Sequence, residues 1–221
     1  RVTGQSQILA AMHGVVSQLY FAGMVALAGV LSPAFRHARV RTADSVEAGG
    51  STSPWTLAPL PKPARVMGLL SIGALVIQLA MGALYRHLQT PHALYTHMAF
   101  SIVVVLLVGG VAGFLSARRG QAGDGSTLGM RANRRFSVLG QTTFATLGVQ
   151  FLMGWVVFWL VTKLPPEAKA VPTAEAIAGA VNVAAEYPIT ATLRTLHQAN
   201  GALVMGAATL CALWSVRLRA R

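Results

Sequence analysis

Residues 78–82 read Gln-Leu-Ala-Met-Gly, and residues 150–154 read Gln-Phe-Leu-Met-Gly. Each word lies in a long apolar run. Each run is followed by another with a histidine near its start, His97 after the first and His197 after the second. An imidazole inside a membrane helix is costly unless a partner or a metal satisfies it. Two of them at matching places in a repeated helix pair read as axial ligands for one buried iron. The repeat therefore decides the expected fold, an all-α integral membrane protein with paired helices around a shared site.

Composition agrees. Only 11% of the 221 residues are charged, against about 25% in an ordinary soluble domain. The 18 Lys and Arg outnumber the 6 Asp and Glu. They lie in the gaps between apolar runs, as loops at a membrane surface do, rather than on the single basic face that nucleic acid requires. Nucleic acid is therefore excluded as a partner, and membrane lipid is the expected surrounding. The lone Cys211 has no partner for an intramolecular disulfide, and no CxxCH motif attaches a heme covalently.

Five runs reach the roughly 20 apolar residues that a bilayer needs. They cover about Ile8–Leu31, Val66–Tyr85, Ala93–Leu115, Phe136–Val161 and Ile189–Val216. None shows the two-residue alternation of a barrel strand. Residues 1–32 read as one transmembrane helix, 33–65 as a cytoplasmic loop, and 66–221 as a four-helix heme-binding membrane bundle. Residues 116–135 read as a Gly- and Arg-rich connection, and a short interfacial helix is expected around Ala174–Val181. With alternating helices, thirteen Lys and Arg fall on one side and five on the other. The larger group predicts a cytoplasmic C-terminus and, for a bacterial protein, the inner membrane.

His13, His97 and His197 then lie near the same ends of the first, third and fifth runs. Runs three and five can sit diagonally in a bundle, where cofactor sites form between facing helices, and neutral imidazole suits iron. His13 reads equally as a ligand or as a structural histidine. Gln78 and Gly82, like Gln150 and Gly154, are four residues apart and share a helix face. The glycines read either as helix contacts, the stronger reading for Gly154, or as places where a flat macrocycle meets the backbone. The glutamines bond across helices or to a ligand. Arg86 and Arg194 sit one turn outward and suit the carboxylates of a heme. Trp155, Phe158 and Trp159 read as interfacial aromatics, and His37, His87 and His92 as loop or interfacial residues.

These words resemble the heme A synthase family, membrane enzymes that convert heme O to heme A. Gln78 to His97, with Gly82-Ala-Leu-Tyr-Arg86-His87, looks like the fifth and sixth helices of that eight-helix fold. Gln150 to Asn200, with Leu196-His197-Gln198-Ala-Asn-Gly-Ala-Leu, looks like the seventh and eighth. His13 matches the fourth. The resemblance implies one heme b between His97 and His197, and a second heme near His13 whose other ligand and associated glutamate precede Arg1. A chain of this registration is expected to be part of a longer protein, with the first helices upstream or on a partner chain, and to lack synthase activity by itself. The family's outer-loop cysteine pair is absent. Two other readings stay open: a b-type cytochrome or structural heme subunit of a larger respiratory or electron-transfer complex, and a heme-free transporter or assembly subunit.

Overall fold

The computed structural model describes residues 7–40, 56–88, 91–120, 127–163 and 187–218, and every structural statement concerns these. They are almost wholly helical. Five long helices carry the five apolar runs: α1 (Gln7–Leu31), α3 (Lys62–Leu88), α4 (Pro91–Ser116), α5 (Thr127–Lys163) and α6 (Pro188–Arg217). Each has a stretch long and apolar enough to cross a membrane, with mean hydropathy between 1.5 and 2.6. In lipid the backbone must satisfy itself, which a helix does within one segment. The chain is an integral membrane protein.

Prolines punctuate the helices. Pro33 follows Ser32 and stops α1, because the residue before a proline is disfavoured in helical geometry. It also starts a short helix, α2 (Pro33–His37), whose Phe35 N–H donates to Ser32 Oγ at 3.3 Å. Pro91 and Pro188 open α4 and α6, where a missing N–H costs nothing.

Two boundaries differ from expectation. Helix α5 begins at Thr127, so residues 127–135 are helix rather than connection, although the membrane-crossing part starts only at Asn133. Hydropathy locates the span, whereas residues 127–132 include good helix formers such as Leu128, Met130 and Arg131 and extend the helix beyond it. The expected loop 33–65 contains α2 and a two-residue parallel pair, β1 (Arg39–Val40) with β2 (Thr56–Leu57). The helix expected around Ala174–Val181 lies outside the described residues.

Helices α3 to α6 form a closed ring in chain order, each packed on the next and α6 returning to α3. This leaves α4 and α6 on a diagonal. Helix α1 packs outside the ring, against α3 and α6. Small residues permit the tight crossings, as is usual in lipid. A Cβ at Gly68 would stand 3.2 Å from the Ala212 Cα, and one at Gly140 would stand 2.7 Å from the Ser116 nitrogen. Large apolar side chains such as Leu106 and Leu152 face outward, 64% and 67% exposed, which suits lipid contact.

Two apolar clusters fill the bundle. One gathers Leu57, Leu60, Leu115, Phe136, Trp214 and Leu218, with Trp214 meeting Phe136 edge to face at 4.6 Å between centroids. Arg118 is buried beside it, its Nη2 donating to the Ala58 carbonyl at 2.5 Å. Burial pushes its pKa down to about 10, so it stays charged at neutral pH. The second cluster holds Leu75, Val104, Val108, Leu147, Val204 and Met205. Some of these residues also wall the cavity described next.

Candidate cofactor site between four helices

The ring encloses a cavity of about 440 Å³, within the roughly 300–1,000 Å³ typical of small-molecule sites. It draws on all five long helices. Helix α3 contributes Gln78, Gly82 and Arg86, and α4 contributes His97. Helix α5 contributes Gln150 and Gly154, and α6 contributes Arg194 and His197. His13 joins from α1. All nine of these residues therefore line one cavity. A larger groove of about 880 Å³, walled by residues such as Leu19, Leu69 and Leu213, holds none of them.

The repeated pentapeptide has a concrete geometry. In the first copy Gln78 reaches across to α4. Its Nε2 donates to the His97 main-chain carbonyl at 2.9 Å and stands 3.4 Å from His97 Nε2. The His97 ring points Nδ1 at the Gln78 main-chain carbonyl, 3.0 Å away. A carbonyl only accepts, so Nδ1 carries the proton and Nε2 keeps its lone pair. One turn along, Gly82 seats the ring: a Cβ there would lie 3.0 Å from His97 Cε1.

The second copy repeats the contacts with a different network. Gln150 Nε2 stands 3.1 Å from His197 Nε2. A Cβ at Gly154 would lie 3.2 Å from His197 Cε1. The Gln150 amide is held from behind by Asn200, whose Nδ2 donates to Gln150 Oε1 and to the Thr146 carbonyl, both at 2.9 Å. His197 Nδ1 is buried without a hydrogen-bond partner. The glycines thus make room for the imidazole of the following helix, and the glutamines bond across helices.

Arg86 hydrogen-bonds Gln198 Oε1 on α6. Arg194 lies near Arg86 and Tyr85. Two guanidiniums therefore share one region of the cavity wall. All six Asp and Glu of the chain lie outside the described residues, so the described wall is cationic without a balancing carboxylate. An anionic ligand suits it.

His13 is exposed on α1, and its carbonyl accepts from Ser17 Oγ at 2.7 Å. Among the described residues no three His, Cys, Asp or Glu side chains converge on a point that would hold a bare ion. His13 thus shares the cavity with the other two imidazoles without joining them in a three-ligand group. Trp155 and Phe158, expected at the membrane interface, line the cavity, with ring centroids 6.0 Å apart. His87 also lines it, while His92 and His37 are exposed.

Sequence reasoning missed Asn200, Gln198 and Tyr85. Asn200 lies three residues after His197, one helical turn on, and that spacing was the available signal. The chain matches no known family model, no characterised protein and no solved structure.

Proposed function

We propose that the chain is a heme-binding membrane oxidoreductase resembling heme A synthase, holding one heme b between His97 and His197. The observation that carries this reading is a single one: two imidazoles on diagonal helices line one cavity, each with Nε2 unprotonated in the hydrogen-bond network. The residues fit the group. Neutral imidazole is a common heme ligand, and Arg86 and Arg194 suit its propionates. Leu75, Val104 and Val204 supply apolar wall. Bound there, a heme would supply one-electron chemistry. The protein's own part is to hold the ring, to bind its carboxylates and to limit the access of water. In this reading a second heme would sit towards His13.

The proposed orientation puts the C-terminus in the cytoplasm of a bacterial inner membrane. In a Cys211→Ser background, a cysteine at Glu175 should react with an impermeant reagent from the periplasmic side. Reaction from the cytoplasmic side alone would reverse the topology.

The direct test is the visible spectrum of the purified chain. A low-spin bis-histidine signal is expected, and its persistence in both His97→Ala and His197→Ala would rule the assignment out. A second reading is a b-type cytochrome or structural heme subunit of a larger electron-transfer complex. It is favoured because the described cavity wall offers binding groups and no carboxylate for proton transfer. Supplying heme O and a reductant separates the two: formyl product supports the synthase, and a redox-active heme without product supports the cytochrome.

A further inference from the structure

The two histidines reach the same protonation pattern by different means. For His97 the proton is pinned on Nδ1 by a main-chain carbonyl, that of Gln78 at 3.0 Å. For His197 the Gln150 main-chain carbonyl also lies near the ring, but Nδ1 makes no hydrogen bond of good geometry to it. Its pattern depends on which end of the Gln150 amide faces Nε2. With Nε2–H of the amide facing it, the imidazole nitrogen must accept. With Oε1 facing it, the imidazole nitrogen would have to donate, and the proton would move to the atom that a metal needs.

The direction of that amide can be traced to the backbone. The Thr146 carbonyl only accepts, so the Asn200 atom 2.9 Å from it is the amide nitrogen. The second hydrogen of this nitrogen goes to Gln150 Oε1, also at 2.9 Å. Gln150 therefore presents its own NH₂ to His197. A cavity-lining Gly201 leaves room for this, since a Cβ there would stand 3.3 Å from Gln150 Nε2.

We infer that Asn200 is a positioning residue: by turning the Gln150 oxygen away from His197, it keeps the proton off His197 Nε2, so that a metal displacing the Gln150 N–H finds an unprotonated nitrogen. The hydrogen-bond direction stands on the geometry alone, and its consequence for ligation rests on the heme reading of the site. Asn200 itself touches no ligand in this scheme. It acts through Gln150, and the first helix pair has no counterpart, since the residue three beyond His97 is Phe100.

The test uses the full chain in detergent or nanodiscs, labelled with ¹⁵N-histidine and free of heme, with His97→Ala and His197→Ala variants to assign the signals. In the wild type both histidines should be protonated on Nδ1. Asn200→Leu should move the His197 proton to Nε2 and leave His97 unchanged, which also reports that the bundle is intact. Titrated with hemin, Asn200→Leu should bind about 10–100-fold more weakly, the usual effect of losing a group that orients a ligand. Gln150→Leu removes the amide to be oriented, so the Gln150→Leu/Asn200→Leu double variant should bind hemin like Gln150→Leu alone. Should leucine unfold the bundle, Asn200→Ser keeps one donor and should give a mixture of His197 tautomers. A His197 proton that stays wholly on Nδ1 in either variant overturns the inference. So does an equal loss of hemin affinity in Asn200→Leu and the double variant, which would mark a merely structural role. If the wild type itself binds no hemin, the heme reading falls, while the tautomer comparison still decides the role of Asn200.

Discussion

The α3–α4 pair and the α5–α6 pair carry the same word and the same contact, held in different ways. In both, a glutamine reaches the histidine of the next helix, and a glycine one turn later seats the ring. In the first pair the amide also binds the His97 main chain, and the ring binds the Gln78 main chain. In the second, the amide binds a third side chain, Asn200, and Nδ1 of the ring makes no well-formed hydrogen bond, although the Gln150 carbonyl lies near. At the position of Asn200 the first pair has Phe100, which packs on an apolar cluster. The pentapeptide thus specifies where the ring sits, and the residue one turn past the histidine specifies how it is held. Main-chain partners cannot be mutated away, so the first pair is the sturdier of the two.

The largest effect should come from removing either imidazole. His97→Ala and His197→Ala should each abolish the low-spin spectrum, because a bis-histidine iron needs both. Loss in only one of them would break the symmetry of the pairs altogether.

Next come the ring seats. Gly82→Val and Gly154→Val push branched side chains into imidazoles already at contact, and overpacking of this kind costs about 1–3 kcal/mol. Gly82→Val should be worse. Three His97 ring atoms lie within 4 Å of its Cβ position, against two of His197 at Gly154. Thermal unfolding of the heme-free protein measures the cost. A milder effect at Gly82 would mean that the first ring shifts more easily than its backbone contact implies.

Smaller still is the loss of one glutamine amide, about 0.5–1.5 kcal/mol for a net hydrogen bond. Gln78→Leu should leave His97 protonated on Nδ1, since the main-chain carbonyl remains. Gln150→Leu should release His197 into a mixture of tautomers. Histidine ¹⁵N spectra of the heme-free variants compare them directly, and equal behaviour would erase the proposed difference between the pairs.

The smallest effect is expected far from the cavity. Arg118→Met gives up a charge-assisted bond to the Ala58 carbonyl, of a kind worth about 1.5–3 kcal/mol. It also removes a buried cation whose Nε and Nη1 have no hydrogen-bond partner among the described residues, a cost of similar size. The net change in stability should stay within about 1 kcal/mol. A much larger loss in a thermal-shift measurement would show that an anion stabilises this guanidinium.

The five spans were legible in the sequence because hydrocarbon imposes a strong rule. Every backbone polar group must be satisfied within the segment, so length and apolarity suffice to mark a helix. The ends were less legible. Residues 127–135 mix polar and apolar side chains, and beyond the apolar run only propensity speaks, which is a weak guide. The membership of the cavity was legible through the repeat, since residues four apart share a face and the copies mark equivalent faces on α3 and α5. That Trp155 and Phe158 line the cavity was not legible, because an aromatic near a helix end suits an interface and a cavity wall equally well.

Sequence alone therefore determined the class of the protein, its spans and the nine residues that meet at one cavity, because apolar length and helical period are local properties of the chain. Tertiary structure decided what those residues do to one another. Whether a glutamine bonds a ring, a carbonyl or an asparagine depends on differences of tenths of an ångström between helices far apart in sequence. Asn200, Thr146, Gln150 and His197 acquire a direction of hydrogen bonding only once α5 and α6 are packed side by side.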